Sequence, residues 1–377
     1  MPVTIGALRE SAPQETRVAL VPEVAEKLSA AGARVLLERG AGISAQFPDA
    51  LYKKAELVDA ATVLSQADVL LTVAPLTVAQ IGALKSGTVV IGHMQPHARH
   101  DEVAALRDRH ITSFAMELIP RISRAQSMDA LSSQAAIAGY KAVLIAANTL
   151  DKFMPMLTTA AGTIRPATVL VIGAGVAGLQ AIATARRLGA IVEAYDVRSV
   201  TKEQVKSLGA KFVDVGVTAE GAGGYARELT AEEKSKQQEV LDARIAASDA
   251  VITTASVPGR RAPLIVSRAA VERMKAGAVI VDIAAEQGGN CELTKAGETV
   301  QHGGVKIVGP VNLASTLAYN ASEMYARNIF NFLRPAIDQG ELKIDWSDEV
   351  FAQSCLTHAG ELKHEQTRRS WAERRAE

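Results

Sequence analysis

Gly173, Gly175 and Gly178 form a G-x-G-x-x-G series behind the apolar run Thr168-Val-Leu-Val-Ile172. Ahead of them, residues 179–188 show helical spacing and end at Gly189; a second apolar run, 191–195, closes on Asp196. Strand, glycine turn, helix, strand and acid, in that order, are the parts of a site for a dinucleotide. Gly173 allows the tight turn, Gly175 lets a diphosphate approach the backbone, and Gly178 lets helix and strand pack closely. The helix opens at Val176, where free N–H groups face the anion. The Asp196 carboxylate accepts hydrogen bonds from ribose hydroxyls and repels a 2′-phosphate, which favours NAD(H) over NADP(H). Val197 and Arg198 follow it in the same wall, and the Arg198 charge softens that exclusion slightly. Thr253-Thr-Ala-Ser256, at the end of a later strand, places Ala255 and Ser256 on the crevice outside the strand termini.

Other chemistry finds little support. His93, His97 and His100 lie close together but have no neighbouring ligand pattern, so they read as ordinary loop histidines with no metal. The two cysteines, Cys291 and Cys355, form no CxxC pair, which fits a reducing compartment, and Cys291 reads as a buried, inert thiol. Lys plus Arg (41) equals Asp plus Glu (41), so no basic field exists to hold nucleic acid or anionic lipid. The uncharged stretch 166–185 is long enough to cross a bilayer, but its three glycines and its β-branched start make it strand, turn and helix. No leader pattern opens the chain, and a cytoplasmic protein without membrane insertion is expected.

The elements that must position these residues alternate along all 377 residues. Strands are expected at 3–7, 34–38, 68–73, 87–92 and 111–117, with helices at 22–31 and 101–109. An Ala-rich helix is expected over 131–150. A second series of strands follows at 168–172, 190–195, 211–214, 249–254, 278–283 and 305–308, and a helical stretch over 313–333. This alternation predicts an α/β protein of two doubly wound, Rossmann-like domains with parallel sheets, joined by long helices. The first domain, 1–131 plus 311–377, is discontinuous; the nucleotide domain spans 132–310, with NAD(H) expected in the cleft between the two.

From about residue 3 to residue 360 the chain resembles two related families. They are alanine dehydrogenase and the soluble NAD(H)-binding portion of proton-translocating nicotinamide nucleotide transhydrogenase. Glu15-Thr-Arg-Val-Ala-Leu-Val-Pro22, the glycine series and Val281-Asp-Ile-Ala-Ala-Glu-Gln-Gly-Gly289 carry the likeness. Alanine chemistry needs a general acid/base near the substrate carbon. Leu71-Thr-Val-Ala-Pro75 has no Lys where the dehydrogenases carry their catalytic one. His93 is a residue or two from the position of their His, and Glu286 stands where they have Asp. Arg17, which holds the substrate carboxylate in those enzymes, reads here as structural.

The transhydrogenase likeness gains where the other loses. Pro120-Arg-Ile-Ser-Arg-Ala-Gln-Ser-Met-Asp-Ala-Leu-Ser-Ser133 is similar to that family's nicotinamide-binding loop. The resemblance implies that Arg121 and Asp129 steady the loop and the carboxamide. It gives Ser132 a hydrogen bond to the carboxamide and lets Gln126 reach toward a second nucleotide. Gly221-Ala-Gly-Gly-Tyr-Ala226 is similar to the family's mobile loop, with Gly224 and Tyr225 at the bound nucleotide. It further implies hydride transfer between NAD(H) and NADP(H), the latter held on a partner beta subunit, with membrane proton-channel subunits alongside. A homodimer, peripheral at the inner face of the membrane, is implied as well. Direct transfer between two nicotinamides needs no proton at the reacting carbon, only facing rings and excluded water. Two other readings remain at this point: an alanine dehydrogenase-like oxidoreductase, and a non-catalytic module that senses NAD(H).

Overall fold

The computed structural model describes residues 2–198, 200–216, 230–257 and 259–374. The chain divides into two compact units, Met1–Gln134 with Ser315–Glu377, and Ala135–Ala314.

In the discontinuous unit, six parallel strands stand in the order Glu56–Val58, Arg34–Glu38, Thr4–Ala7, Val69–Leu71, Val89–Gly92, Thr112–Ala115. Numbered by their appearance in the chain, that order is 3-2-1-4-5-6, the doubly wound arrangement. Alternate residues feed opposite faces, as the pleat requires. Val35, Leu37, Val69, Leu71 and Ile91 pack with Leu28, Tyr325, Ile329 and Phe332. Leu36, Leu70 and Val90 pack on the other side with Val63, Ile81, Val103 and Leu106. Each such side chain contributes roughly 1.5–3 kcal/mol relative to exposure. The helix Pro22–Ala30 opens on Pro22 and is followed by Gly32 at φ +90. Helices outside the sequence expectation include Ala60–Gln66, capped by Asp59, Val78–Ala83, held by a capping box between Thr77 and Gln80, and Glu349–Ser354, capped by Asp348.

The contiguous unit repeats the plan. Its strands stand in the order Lys211–Phe212, Ile191–Tyr195, Thr168–Ile172, Ala250–Thr253, Val279–Asp282, Val305–Val308, all parallel. Val169, Val171, Ile252 and Val281 face one core; Leu170, Ile172, Val251 and Ile280 face the other. The helix Ala130–Thr149 is, among the described residues, the one long and apolar enough to cross a membrane by length and composition. Its Ala142, Val143 and Ala146 are fully buried in the core of this unit. Gly139 brings it against the nucleotide helix, since a Cβ there would fall 2.0 Å from the Ala177 carbonyl oxygen.

Each parallel sheet carries antiparallel strands toward one edge. Thr299–His302 pairs antiparallel with Val305–Val308, and Cys355–His358 runs antiparallel both to Thr112–Ala115 and to Glu361–Leu362. Two of these pairings, Thr299–His302 with Val305–Val308 and Cys355–His358 with Glu361–Leu362, are set by their connections. Gly303-Gly304 (φ +55, +82) and Ala359-Gly360 (φ +50, +80) are two-residue links with both φ positive, the geometry of a tight hairpin turn. A third hairpin, Leu157–Thr159 with Gly162–Ile164, is exposed at every strand residue.

Candidate functional site

In the contiguous unit, Thr168–Ile172 ends at Gly173, whose φ of +97 suits glycine and whose N–H donates to the Tyr195 carbonyl at 2.7 Å. Thr254 Oγ1 donates to the Gly173 carbonyl at 3.0 Å. The three glycines of the series are needed for different reasons. A Cβ on Gly178 would lie 1.8 Å from the Gly173 oxygen, and one on Gly173 would lie 2.5 Å from Thr254 Oγ1. Among the described residues, a Cβ on Gly175 would meet only Arg198 Nη2, at 3.9 Å, and Gly175 has an ordinary φ of −77. Packing within the chain therefore demands the outer two glycines, while the middle one leaves an open cradle. Gly175 is the N-cap of the helix Val176–Arg187 and supplies no side-chain cap, and Val176 is exposed. The first-turn N–H groups of that helix thus lack the usual side-chain acceptor.

Asp196 is buried at the end of Ile191–Tyr195. Its Oδ2 accepts from Ala174 N at 2.7 Å and Arg198 Nη2 at 2.8 Å. Its Oδ1 accepts from Arg198 N and Arg198 Nε, each at 2.9 Å. Val197 is half-buried and packs on the core behind this wall.

Ala255 and Ser256 follow Ala250–Thr253; Ser256 is exposed, and Ala255 is held from below. Asn290, fully buried, accepts from Ala255 N at 3.0 Å and donates to the Ala255 and Pro263 carbonyls at 2.8 Å each. Asp282 organises that layer. One oxygen accepts from Thr253 Oγ1 and Ala284 N; the other accepts from Asn290 N, Cys291 N and Thr294 Oγ1. Five donors on one buried carboxylate offset the cost of burying its charge. Sequence reasoning gives neither Asp282 nor Asn290 a role, although both lie in or beside the family-like segment 281–289. Burial raises the Cys291 thiol above its ordinary pKa, as expected of an inert cysteine. Gly224 and Tyr225 lie outside the described residues.

In the discontinuous unit, the polar segment after Pro120 is a 3-10 helix, Ser123–Met128, leading into Ala130–Thr149. Asp129 caps the long helix: Ser132 N donates to its Oδ1 at 2.8 Å and Ser132 Oγ to its Oδ2 at 2.6 Å. Asp129 and Ser132 are thereby brought together, with the Ser132 oxygen lone pairs still available to a donor. Arg121 and Gln126 are exposed on the same segment. Residues with no motif hold the segment in place. Asn328 and Asn331 donate to the Ser127 carbonyl at 2.9 and 3.1 Å, Asn328 accepts from Ser133 Oγ at 2.7 Å, and Arg124 pairs with Asp348.

The carboxyl ends of this unit's strands carry a second polar group. Glu10 accepts from Val73 N at 2.6 Å and Ala74 N at 3.1 Å, and burial pushes its pKa up to about 7 against the pull of those N–H bonds. Tyr325, fully buried, donates to the Thr72 carbonyl at 2.8 Å. Glu117 accepts from Met94 N and Gln95 N, and His93 Nδ1 lies 3.4 Å from its other oxygen. Arg17 grips Glu15 through Nε and Nη2 and reaches Gln134 with Nη1 at 2.8 Å. In unit Ala135–Ala314, Glu286 accepts from Asn312 N at 3.2 Å. Among the described residues no His, Cys, Asp and Glu group has metal-binding spacing.

A family model described as "Alanine dehydrogenase/PNT, N-terminal domain" matches residues 6–138, and the C-terminal domain of the same description matches residues 142–365. The first portion of the divided NAD(P) transhydrogenase subunit alpha of Rhodospirillum rubrum is 46% identical over 374 residues, spanning 96% of this chain and 97% of that protein. The crystal structure of transhydrogenase from Sinorhizobium meliloti matches with a TM-score of 0.87 at 45% identity, covering 95% of this chain and 99% of the solved one. Alanine dehydrogenase of Mycobacterium tuberculosis is 32% identical over 291 residues, 76% of this chain and 73% of that enzyme.

Proposed function

The chain belongs to the alanine dehydrogenase/PNT family, and on that premise we propose that it is the NAD(H)-binding component of a proton-translocating transhydrogenase. Hydride passes between NAD(H) held here and NADP(H) held on a partner beta subunit. The observation that carries this reading is the cradle at Gly175, open where its two companion glycines are closed by packing. NAD(H), when bound, supplies the carbon that gives or takes the hydride. The chain's own groups bind and orient it. N–H groups at the start of Val176–Arg187 receive the diphosphate, Asp196 receives the adenosine ribose, and Ala255 and Ser256 line the crevice. Ser132 and Asp129 hold the carboxamide end, with Arg121 and Gln126 beside them.

The alanine reading loses support at Val73 and Ala74, where the dehydrogenases' lysine would stand. Both N–H groups there are taken by Glu10, and no side chain at either position can move a proton. The Rhodospirillum relative bears the name of one portion of an alpha subunit, which suggests a partnered assembly. The family resemblance further implies a homodimer bound to a beta subunit and to membrane proton-channel subunits, cytoplasmic and peripheral to the membrane.

Calorimetry with NADH tests the site. Gly175→Val should weaken binding at least about a hundredfold while thermal unfolding stays near wild type. Cyclic reduction of an NAD analogue should appear only with an NADP(H)-binding partner, and alanine should reduce no NAD. NADH binding without either activity would favour a sensing module instead.

A further inference from the structure

Resting on the reading that Asp196 receives the adenosine ribose, we infer that Arg198 is a resident occupant of that subsite. It competes with the ribose and sets how strongly the chain rejects a 2′-phosphate.

A carboxylate offers roughly four lone-pair directions, and all four of Asp196 are filled. Two are taken by backbone N–H groups, Ala174 and Arg198, which belong to the turn itself. The other two are taken by the Arg198 fork, Nε at 2.9 Å on one oxygen and Nη2 at 2.8 Å on the other. A ribose diol presents two O–H donors to the same two acceptor directions. Diol and guanidinium therefore exclude one another, and binding exchanges two bonds from a cationic donor for two from neutral hydroxyls to the same carboxylate. Arg198 is the more exposed partner, at 22% against 6% for Asp196, so the guanidinium lies on the solvent side of the pair.

The competitor also changes the electrostatics. A lone buried carboxylate repels a 2′-phosphate strongly, whereas a carboxylate paired with a guanidinium presents little net charge. Nη2 lies 3.9 Å from the place of a Gly175 Cβ, so the fork spans from the carboxylate to the glycine turn. Displaced from Asp196, it stays beside the nucleotide, where it meets a 2′-phosphate favourably.

Titrating the full chain with NADH and with NADPH separates these roles. Arg198→Gln should tighten NADH about fivefold and weaken NADPH about tenfold, widening the ratio roughly fiftyfold. Arg198→Lys keeps the charge without the fork; it should tighten NADH about as much and leave NADPH within about twofold. It also serves as the test should the first variant unfold. In an Asp196→Asn background, Arg198→Gln should no longer tighten NADH. An unchanged NADPH-to-NADH ratio in both Arg198 variants, with the wild type binding NADH, overturns this inference alone. Failure of the wild-type chain to bind NADH overturns the functional reading and this inference with it.

Discussion

In the unit Ala135–Ala314 the chain leaves the first strand of its large sheet through Gly173 and turns at once into a helix, and among the described residues a Cβ on Gly175 would meet no atom nearer than 3.9 Å. In the other unit the first strand, Thr4–Ala7, runs on into Leu8-Arg9-Glu10. There the Glu10 carboxylate reaches across to the end of the fourth strand and takes the N–H groups of Val73 and Ala74. Strand order is the same on both sides of these two switch points. A doubly wound sheet therefore supplies only the location of a crevice. Whether a phosphate can enter depends on what stands at the strand ends: a glycine turn and helix N–H groups without a side-chain cap in one unit, a carboxylate already holding the N–H groups after the fourth strand in the other.

The strongest way to break this contrast is Gly178→Val. The open side depends on a contact that leaves no room for a Cβ 1.8 Å from a carbonyl, so the variant should lose more than about 4 kcal/mol of stability. Gly175→Val should not, and paired thermal melts distinguish them.

The closed side is sharpened by pH. The folded pKa of Glu10, about 7, exceeds its ordinary value of 4.5, so the folded chain holds this proton more tightly than the unfolded one. Its contribution to stability is complete below pH 4.5 and disappears as pH rises through 7. Across that window the wild type should lose about 3 kcal/mol relative to Glu10→Gln, read from urea midpoints at each pH. Equal slopes for the two proteins would mean that the buried carboxyl does not resist ionisation.

The smallest effect is expected at Arg124, whose pairing with Asp348 is half-exposed. Arg124→Ala should shift the melting temperature by less than about 1 °C, because Asn328 and Asn331 still hold the segment.

Buried parallel strands such as Thr168–Ile172 and Val279–Asp282 are legible in the sequence because both faces are covered and the run is uniformly apolar. Glu56–Val58 is not, being three residues long and partly exposed, nor is the exposed hairpin Leu157–Thr159 with Gly162–Ile164. The glycine turn can be read because its residues are local in sequence. The layer beneath it cannot: Asp282 grips Thr253 across 29 positions, and Asn290 holds Ala255 across 35. The same distance hides the supports of the segment 123–128, which come from about 200 residues further on. Spacing rules see neighbours along the chain, while positioning residues are neighbours only in the fold.

The antiparallel strand Cys355–His358 has a consequence for synthesis. Its Thr357 hydroxyl meets Ser113 across 244 positions, and Leu356 is fully buried beside the sheet. Until the ribosome has delivered those residues, Thr112–Ala115 presents an unpaired edge, a template for wrong partners. The contiguous stretch Ala135–Ala314 has no such wait, because it carries all the strands of its own large sheet. It is therefore expected to close its core on the ribosome first, while the flanking sheet depends on chaperones or speed to stay out of aggregates.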